Sequence, residues 1–263
     1  MSEKALDATD FPAIDIDSPS LKEILWHKMR EDLSRYIPRI LDTEKLMCPA
    51  CCRFLPFADF DIEHIIPEQS LADDPPEVRA AIPKIERGGV TLLCKKQLLI
   101  NGKKIYANGC NSWKGRFYDR FLKETFNAKV VIGGTYTSRH QVALFVIGYL
   151  GLFARYGYHI TLSESGVTMR RQFFSPNKFN KDVPLKCQMT LTGAPDLRYN
   201  EQTEKYWKPP FKVSIDRNFF CVVVRNSSIF LPMSRNPEVI VSRKLPFVPQ
   251  KYAFRPDFVT VFH

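Results

Sequence analysis

Two pairs of cysteines are the residues whose type and spacing best suit metal binding. Cys48 and Cys51 are separated by two residues, which lets both thiolates turn toward one tetrahedral zinc ion. Cys94 and Cys110 complete a set of four, although the 15 residues between them exceed an ordinary zinc knuckle. An Asn-Gly pair at 101–102, flanked by apolar residues, predicts a hairpin that folds this excess outward. The alternative is a half-site or a set of buried thiols, since cysteine is a common core residue.

Three further cysteines stand outside this set. Cys52 is a spare thiol beside the first pair, and Cys187 and Cys221 lie in apolar, strand-like segments that are typical of a core. The total of seven is odd, and the grouping is more typical of a metal site than of a secreted disulfide framework. A reducing compartment therefore fits best.

Four motifs between Cys48 and Phe126 follow one another in a distinctive order. They are the first cysteine pair, the segment Glu63-His64-Ile65-Ile66-Pro67, an apolar strand ending in Cys94, and the segment Cys110-Asn111-Ser112-Trp113-Lys114-Gly115. In this order they resemble the HNH nuclease family, in particular its branch with a Glu-His-Ile-Ile-Pro strand and a Cys-Asn-x-x-Lys-Gly helix start. The resemblance covers under a third of the chain.

The resemblance implies a ββα-metal fold in which a hairpin and a helix hold one divalent cation against the scissile phosphate. It implies His64 as the general base, and Glu63 and Asn111 as ligands of a catalytic Mg²⁺ or Mn²⁺ ion, separate from the structural zinc. The side chains suit these roles, because a neutral imidazole accepts a proton from water and oxygen donors suit hard cations. Asp61 is a lesser candidate ligand, since strand alternation places it on the face of Glu63.

Other interpretations of these residues stay open. A histidine beside a carboxylate is often a salt-bridged surface residue, and an asparagine at a helix start is often an N-cap. The family also has a middle asparagine that orients the catalytic histidine, and the segment 87–93 contains none. Thr91, Asn101 or Asn108 are candidates to replace it, or the site is inactive. The alternative function is a non-catalytic zinc-ribbon DNA-binding protein with a degenerate HNH site.

The charge distribution favours a polyanionic partner. The chain carries a net charge of +10 at pH 7, and the segment 86–129 alone has ten basic and three acidic residues. Such a density attracts phosphates. The predicted DNA-contacting residues are Lys95, Lys96, Lys114 and Arg116. The alternative is a solvated, charged helix face.

Four segments must position these residues. They are an acidic, flexible tail at 1–20, an amphipathic helical segment at 21–46, the HNH nuclease module at 47–126, and a C-terminal α+β domain of unknown role at 127–263. Ser20 and Glu23 have capping-box spacing at the helix start. The sequence therefore predicts an α+β fold: a ββα-metal HNH module with structural zinc, plus a C-terminal α+β domain.

The apolar segments and the N-terminus indicate the compartment in which the protein works. The segment 142–154 is apolar but has only 13 residues, against roughly 20 for a membrane span, and the N-terminus lacks an export signal. The prediction is thus a cytoplasmic, metal-dependent endonuclease that hydrolyses DNA, with no membrane partner and a role in defence against foreign DNA. A homodimer or a regulatory partner bound through the C-terminal domain is left open.

Overall fold

The α+β class is confirmed by the computed structural model, which combines helices with small antiparallel sheets. The structure describes residues 20–100, 103–126, 137–180, 189–191, 204, 206–208, 210–216, 219–225 and 227–232.

The first helix, α1, spans Leu21–Ser34 and starts with the predicted capping box. The Ser20 hydroxyl accepts from the Glu23 backbone N–H at 3.3 Å, and the Glu23 carboxylate accepts from the Ser20 backbone N–H at 2.7 Å. The helix ends before Pro38, which begins a 3-10 turn at Pro38–Asp42. Its apolar stripe is buried, as the helical spacing predicts.

Short strands and helices follow, up to Phe126. In chain order they are β1 (Lys45–Met47), β2 (Phe54–Pro56), a 3-10 turn (Phe57–Asp59), β3 (Phe60–His64), α2 (Glu68–Leu71), α3 (Pro76–Ala81), α4 (Lys84–Gly88), β4 (Val90–Cys94), β5 (Leu98–Ile100), β6 (Lys103–Tyr106), α5 (Cys110–Lys114), a π-helical turn (Gly115–Asp119) and α6 (Arg120–Phe126). The strands form three antiparallel pairs, β1–β2, β3–β4 and β5–β6.

The predicted Asn-Gly hairpin is present as β5–β6. Ile100 pairs with Lys103, so a two-residue connection joins the strands. Residues 101 and 102 themselves lie outside the described residues. The hairpin projects between Cys94 and Cys110, as the sequence predicts.

Three helices and one larger sheet make up the described part of the C-terminal half. They are α7 (Ser138–Tyr156), α8 (Tyr158–Leu162), α9 (Glu164–Phe173), β7 (Met189–Leu191), β8 (Lys212–Asp216), β9 (Phe219–Val224) and β10 (Ser227–Pro232). The antiparallel sheet has the order β7-β10-β9-β8. The start of the predicted C-terminal domain at 127 and Cys187 lie outside the described residues.

The helices of the C-terminal half pack directly against the predicted nuclease module. The Tyr149 hydroxyl donates to the Pro49 carbonyl at 2.7 Å, and the Trp113 indole N–H donates to the Phe173 carbonyl at 2.9 Å. One cluster of buried apolar side chains runs through both parts. Helices α7 and α9 therefore pack directly against the segment 47–126. The domain boundary near 127 stays a prediction.

Asp32 joins α1 to the turn between α7 and α8. Its carboxylate accepts from the Tyr158 backbone N–H at 2.7 Å. Gly157 has φ +59°, and a Cβ there would lie 1.9 Å from the Asp32 Oδ2 atom, so only glycine fits this turn. Burial raises the pKa of Asp32 to about 7, although this backbone hydrogen bond lowers it.

This raised pKa predicts a pH effect on stability. Between the unfolded pKa near 3.8 and about 7, folded Asp32 holds a proton that the unfolded chain releases, so stability falls as pH rises. Asp32→Asn keeps an oxygen acceptor for Tyr158 but cannot ionise. We expect the variant to flatten this slope in urea unfolding between pH 4 and 7. An unchanged slope would contradict the assignment.

Candidate functional site

The first cysteine pair lies in the turn of the β1–β2 hairpin. Met47 pairs with Phe54 at the end of this ladder. The Cys48 backbone N–H donates to the Arg53 carbonyl at 2.9 Å, and the Cys52 backbone N–H donates to the Cys48 carbonyl at 2.8 Å. These bonds close a tight knuckle that presents both cysteines on one side.

The second pair comes from two elements joined by the β5–β6 hairpin. Cys94 ends β4 and Cys110 begins α5, and the Leu98 N–H donates to the Asn108 carbonyl at 3.0 Å across the base of the hairpin. A Cβ on Gly109 would lie 2.0 Å from the Cys94 carbonyl oxygen. Glycine at this position therefore lets the start of α5 approach Cys94 closely.

The four predicted cysteines converge, and their sulfur atoms lie within 4.8 Å of one another. The Cys51 and Cys94 sulfurs are 3.7 Å apart, and those of Cys94 and Cys110 are 3.4 Å apart. A tetrahedral zinc ion with Zn–S bonds of about 2.3 Å places its sulfur ligands about 3.8 Å apart. The donor type, number and spacing therefore fit a metal such as zinc.

Arg53 adds positive charge beside these sulfurs. Its guanidinium donates to the sulfurs of Cys51 and Cys94, each at 3.5 Å. Hydrogen bonds from Cys110 and the other thiols hold the pKa of Cys51 far below its usual value, and Arg53 contributes to this shift. The pKa of Cys94 is lowered as well, by its hydrogen bond with Cys110, whereas burial raises the pKa of Cys48 and Cys110. The surroundings thus favour the thiolate form, which is the form that binds metal, at Cys51 and Cys94.

The predicted catalytic strand is β3, which pairs with β4 in an antiparallel hairpin. Glu63 lies opposite Thr91, and His64 lies opposite Val90. The hairpin leads through Cys94 and β5–β6 into α5. The Asn111 side-chain amide donates to the Ile62 carbonyl at 3.1 Å and fixes α5 on β3.

Lys114, which the sequence predicts to contact DNA, lies inside the protein. Its side chain has no exposed surface. The ammonium is 2.6 Å from the Glu63 carboxylate and 2.8 Å from that of Asp119, and it donates to the His64 carbonyl at 3.0 Å. Lys114 points toward β3, and the carboxylates of Glu63 on β3 and of Asp119 in the π-helical turn compensate its charge. Phosphate contact would require breaking this network.

The ion pair with Lys114 also affects the pKa of Glu63. Burial raises the pKa of Glu63 to about 7, although the attraction of Lys114 lowers it. Burial acts to lower the pKa of Lys114, but the Glu63 and Asp119 carboxylates together hold it above its usual value. Asn111 uses its amide nitrogen for the bond to β3, which leaves the amide oxygen as the donor atom for a cation. Glu63 and Asn111 thus offer the hard oxygen donors of the predicted catalytic ion, but Lys114 already neutralises Glu63.

The side chain of His64 lies against α2 and α4. Its Nδ1 atom is 3.1 Å from Oε1 of Glu68, and the same oxygen is 2.7 Å from the ammonium of Lys84. Its Nε2 atom is buried and has no hydrogen-bond partner among the described residues. Burial lowers the pKa of His64, so the imidazole is neutral at pH 7.

The other predicted residues lie around this centre. Lys95 and Lys96 are exposed and pair with Asp61 at 3.3 Å and Asp59 at 3.1 Å. Arg116 is exposed and stacks over the rings of Tyr106 and Phe117. All three basic side chains lie at the surface, where a phosphate could reach them. Asp61 offers a half-exposed carboxylate already paired with a lysine.

The three candidates to replace the middle asparagine of the HNH family lie in different surroundings or outside the described residues. The Thr91 hydroxyl is buried without a hydrogen-bond partner among the described residues. Asn108 lies exposed at the base of the β5–β6 hairpin, and Asn101 lies outside the described residues. Among the described residues, no hydrogen bond joins the side chain of Thr91 or Asn108 to that of His64.

Three charged residues of this region were not predicted from the sequence. Arg53, Glu68 and Asp119 contact the sulfurs, His64 and Lys114 respectively. Glu68 follows His64 by four residues and Asp119 follows Lys114 by five, so local spacing alone was a weak signal for both.

Comparisons with protein-family models, curated proteins and solved structures returned no match, so the HNH resemblance depends on the motifs alone. The described part of the chain contains no helix that is both long enough and apolar enough to span a membrane. Among the described residues, the four cysteines are the one group of three or more cysteine, histidine or acidic side chains placed to hold a metal ion.

Zinc should be bound tightly and should contribute to folding. We expect about one zinc per purified chain, because sites of this kind contribute about 10–16 kcal/mol of binding free energy to folding. Cys110→Ser should lose the metal and lower the melting temperature, whereas Cys221→Ser in strand β9 should keep it. Elemental analysis and thermal unfolding measure both. Folded protein without bound metal would contradict the assignment.

Replacing Lys114 should show how much its buried ion pairs contribute to the free energy of unfolding. Lys114→Met leaves two carboxylates without a cation, and breaking a buried pair costs about 3–5 kcal/mol. Lys123→Met is the control, because its partner Asp73 is 3.1 Å away at a partly exposed site and such a pair contributes about 1 kcal/mol or less. Urea unfolding compares the two. Equal losses would show that the Lys114 network is not stabilising.

Proposed function

We propose that this chain is a nuclease of the ββα-metal type that hydrolyses phosphodiester bonds in DNA, with His64 as the general base. The observation that carries the proposal is the state of the His64 ring. The His64 side chain is partly exposed, its Nδ1 atom is 3.1 Å from Oε1 of Glu68, and burial lowers its pKa, which favours the neutral form. A base needs a neutral imidazole to take a proton from water.

The surroundings of the ring support the same chemistry. Asn111 anchors α5 on β3, one residue from Glu63. Glu63 and Asn111 would hold a Mg²⁺ or Mn²⁺ ion, which would neutralise charge on the phosphate. The exposed side chains of Lys95, Lys96 and Arg116 would contact the DNA backbone, since cationic side chains at a surface supply sequence-independent affinity. The four cysteines would hold zinc and keep the hairpin and helix together.

A second candidate function is favoured by the Glu63–Lys114 contact. An ammonium 2.6 Å from the carboxylate supplies the charge that a catalytic cation would otherwise supply. In that case the chain is a zinc-dependent DNA-binding protein with a degenerate nuclease site. The exposed lysines and Arg116 would serve this function equally well.

Cleavage of plasmid DNA separates the two functions. The full chain, loaded with zinc and freed of other ions by gel filtration, is incubated with supercoiled plasmid alone or with Mg²⁺ or Mn²⁺. A nuclease converts the plasmid to nicked or linear forms in the presence of an added ion. A binding protein retards the plasmid without cutting it.

His64→Ala tests the base. General base catalysis contributes about a hundredfold to ten-thousandfold, so cleavage should fall by that factor while DNA affinity stays within a few fold. His27→Ala is the control, because His27 is exposed on α1. Zinc content and melting temperature confirm that both variants fold. A His64→Ala variant that cleaves like the wild type would rule out this base.

A further inference from the structure

The basic side chains between residues 86 and 126 differ in whether a carboxylate already pairs with them. Six of the nine form an ion pair, and these are Arg87, Lys95, Lys96, Lys114, Arg120 and Lys123. The other three, Lys103, Lys104 and Arg116, are exposed and have no ion-pair partner among the described residues. A phosphate can therefore approach these three without displacing a carboxylate.

All three unpaired side chains belong to the β5–β6 hairpin or lie at its base. Lys103 and Lys104 begin β6, and Tyr106 ends it. The Arg116 guanidinium lies 5.7 Å from the centre of the Tyr106 ring. Tyr106 also meets the Trp113 ring of α5 edge to face, with 5.5 Å between the ring centres. The unpaired positive charge is thus concentrated on one element, and α5 holds the base of that element in place.

Both faces of this hairpin carry an exposed lysine. Lys103 and Lys104 are consecutive strand residues, so their side chains leave opposite faces of the two-stranded ribbon. Leu99 lies directly opposite Lys104 and is 37% exposed although it is apolar. Ile105, beside the irregularity in the strand pairing, is 40% exposed. The ribbon therefore stands out from the described body of the protein, with a cation on each face.

A ribbon with a cation on each face suits a site that has an anionic wall on each side. A groove of duplex DNA is such a site, because a phosphate backbone lines each wall. Packed sheets lie about 10 Å apart, so a single ribbon with its side chains is about 10 Å thick. The major groove of B-form DNA is about 12 Å wide and admits such a ribbon, whereas the minor groove is only about 6 Å wide.

We propose that the β5–β6 hairpin is a DNA-binding ribbon that enters the major groove. Lys103 and Lys104 contact phosphates of opposite strands, and Arg116 contacts the backbone beside the base of the ribbon. This inference rests on the proposed function only in taking DNA as the ligand, and it does not depend on cleavage. Both candidate functions, nuclease and binding protein, use this surface.

The salt dependence of DNA binding tests the ribbon. Fluorescence anisotropy measures the affinity of the zinc-loaded full chain for a short duplex at several salt concentrations, without added Mg²⁺ or Mn²⁺ so that the duplex stays intact. Each lost phosphate contact makes the slope of log affinity against log salt shallower by about 0.9. We expect this change for Lys103→Ala and for Lys104→Ala, and about twice this change for the double variant.

Single-stranded DNA of the same length separates a groove from a single backbone. The ribbon then meets phosphates on one face, so the double variant should lose only about 0.7 in slope, the value for one contact on a single strand. The matched control is the double variant Arg39→Ala/Lys45→Ala, which removes the same charge from exposed positions before β1 and at its start. Its slopes should equal those of the wild type. Zinc content and melting temperature show that all variants fold.

The outcomes separate the ribbon from the nuclease. A double variant with the wild-type slope on duplex DNA, or a wild type that binds no DNA, would overturn the ribbon. Equal losses on duplex and single-stranded DNA, or a larger loss on duplex RNA than on duplex DNA, would reject the major groove as its site. A wild type that binds through the hairpin but never cuts plasmid would reject the nuclease function and leave the ribbon in place.

Discussion

The convergence of four sulfur atoms is the constraint on which the rest of the site depends. The cysteines come from the β1–β2 turn, the end of β4 and the start of α5, and these segments are far apart in the chain. Four thiols at this spacing, three of them buried, suit one metal ion better than an apolar core, since a bound ion compensates their thiolate charge. Once the four sulfur atoms meet, the position of α5 relative to the β3–β4 hairpin is set. This position lets the Asn111 side chain on α5 donate to the Ile62 carbonyl on β3.

The last two residues of β3, Glu63 and His64, have side chains in different electrostatic environments. Glu63 turns to a buried ammonium and becomes part of a network with Lys114 and Asp119. His64, the next residue, places its ring against Glu68 at the more exposed edge of α2. A strand sends successive side chains in opposite directions, so neighbouring residues can join a buried ion pair and contact α2. In the second environment, the Nε2 atom of His64 is buried and has no hydrogen-bond partner among the described residues.

The C-terminal helices take part in this arrangement. Phe173, at the end of α9, accepts the indole N–H of Trp113, and Tyr149 on α7 reaches the Pro49 carbonyl inside the cysteine knuckle. One cluster of buried apolar side chains joins the segment 47–126 to α7 and α9, so these helices help to bury the cysteine-rich part of the chain.

Local patterns in the sequence were enough to predict the α+β class, the capped helix α1, the Asn-Gly hairpin and the four cysteines that converge. These features depend on neighbouring residues or on the strong chemical preference of thiolates for a common metal. Only the tertiary structure determines which charged side chains are buried and which are exposed. Lys114 looks like a DNA contact in a basic segment, yet it is buried because β3 and the π-helical turn bring Glu63 and Asp119 to it. Charge alone does not tell whether a lysine faces solvent or a carboxylate, since that depends on which distant segments the fold places beside it.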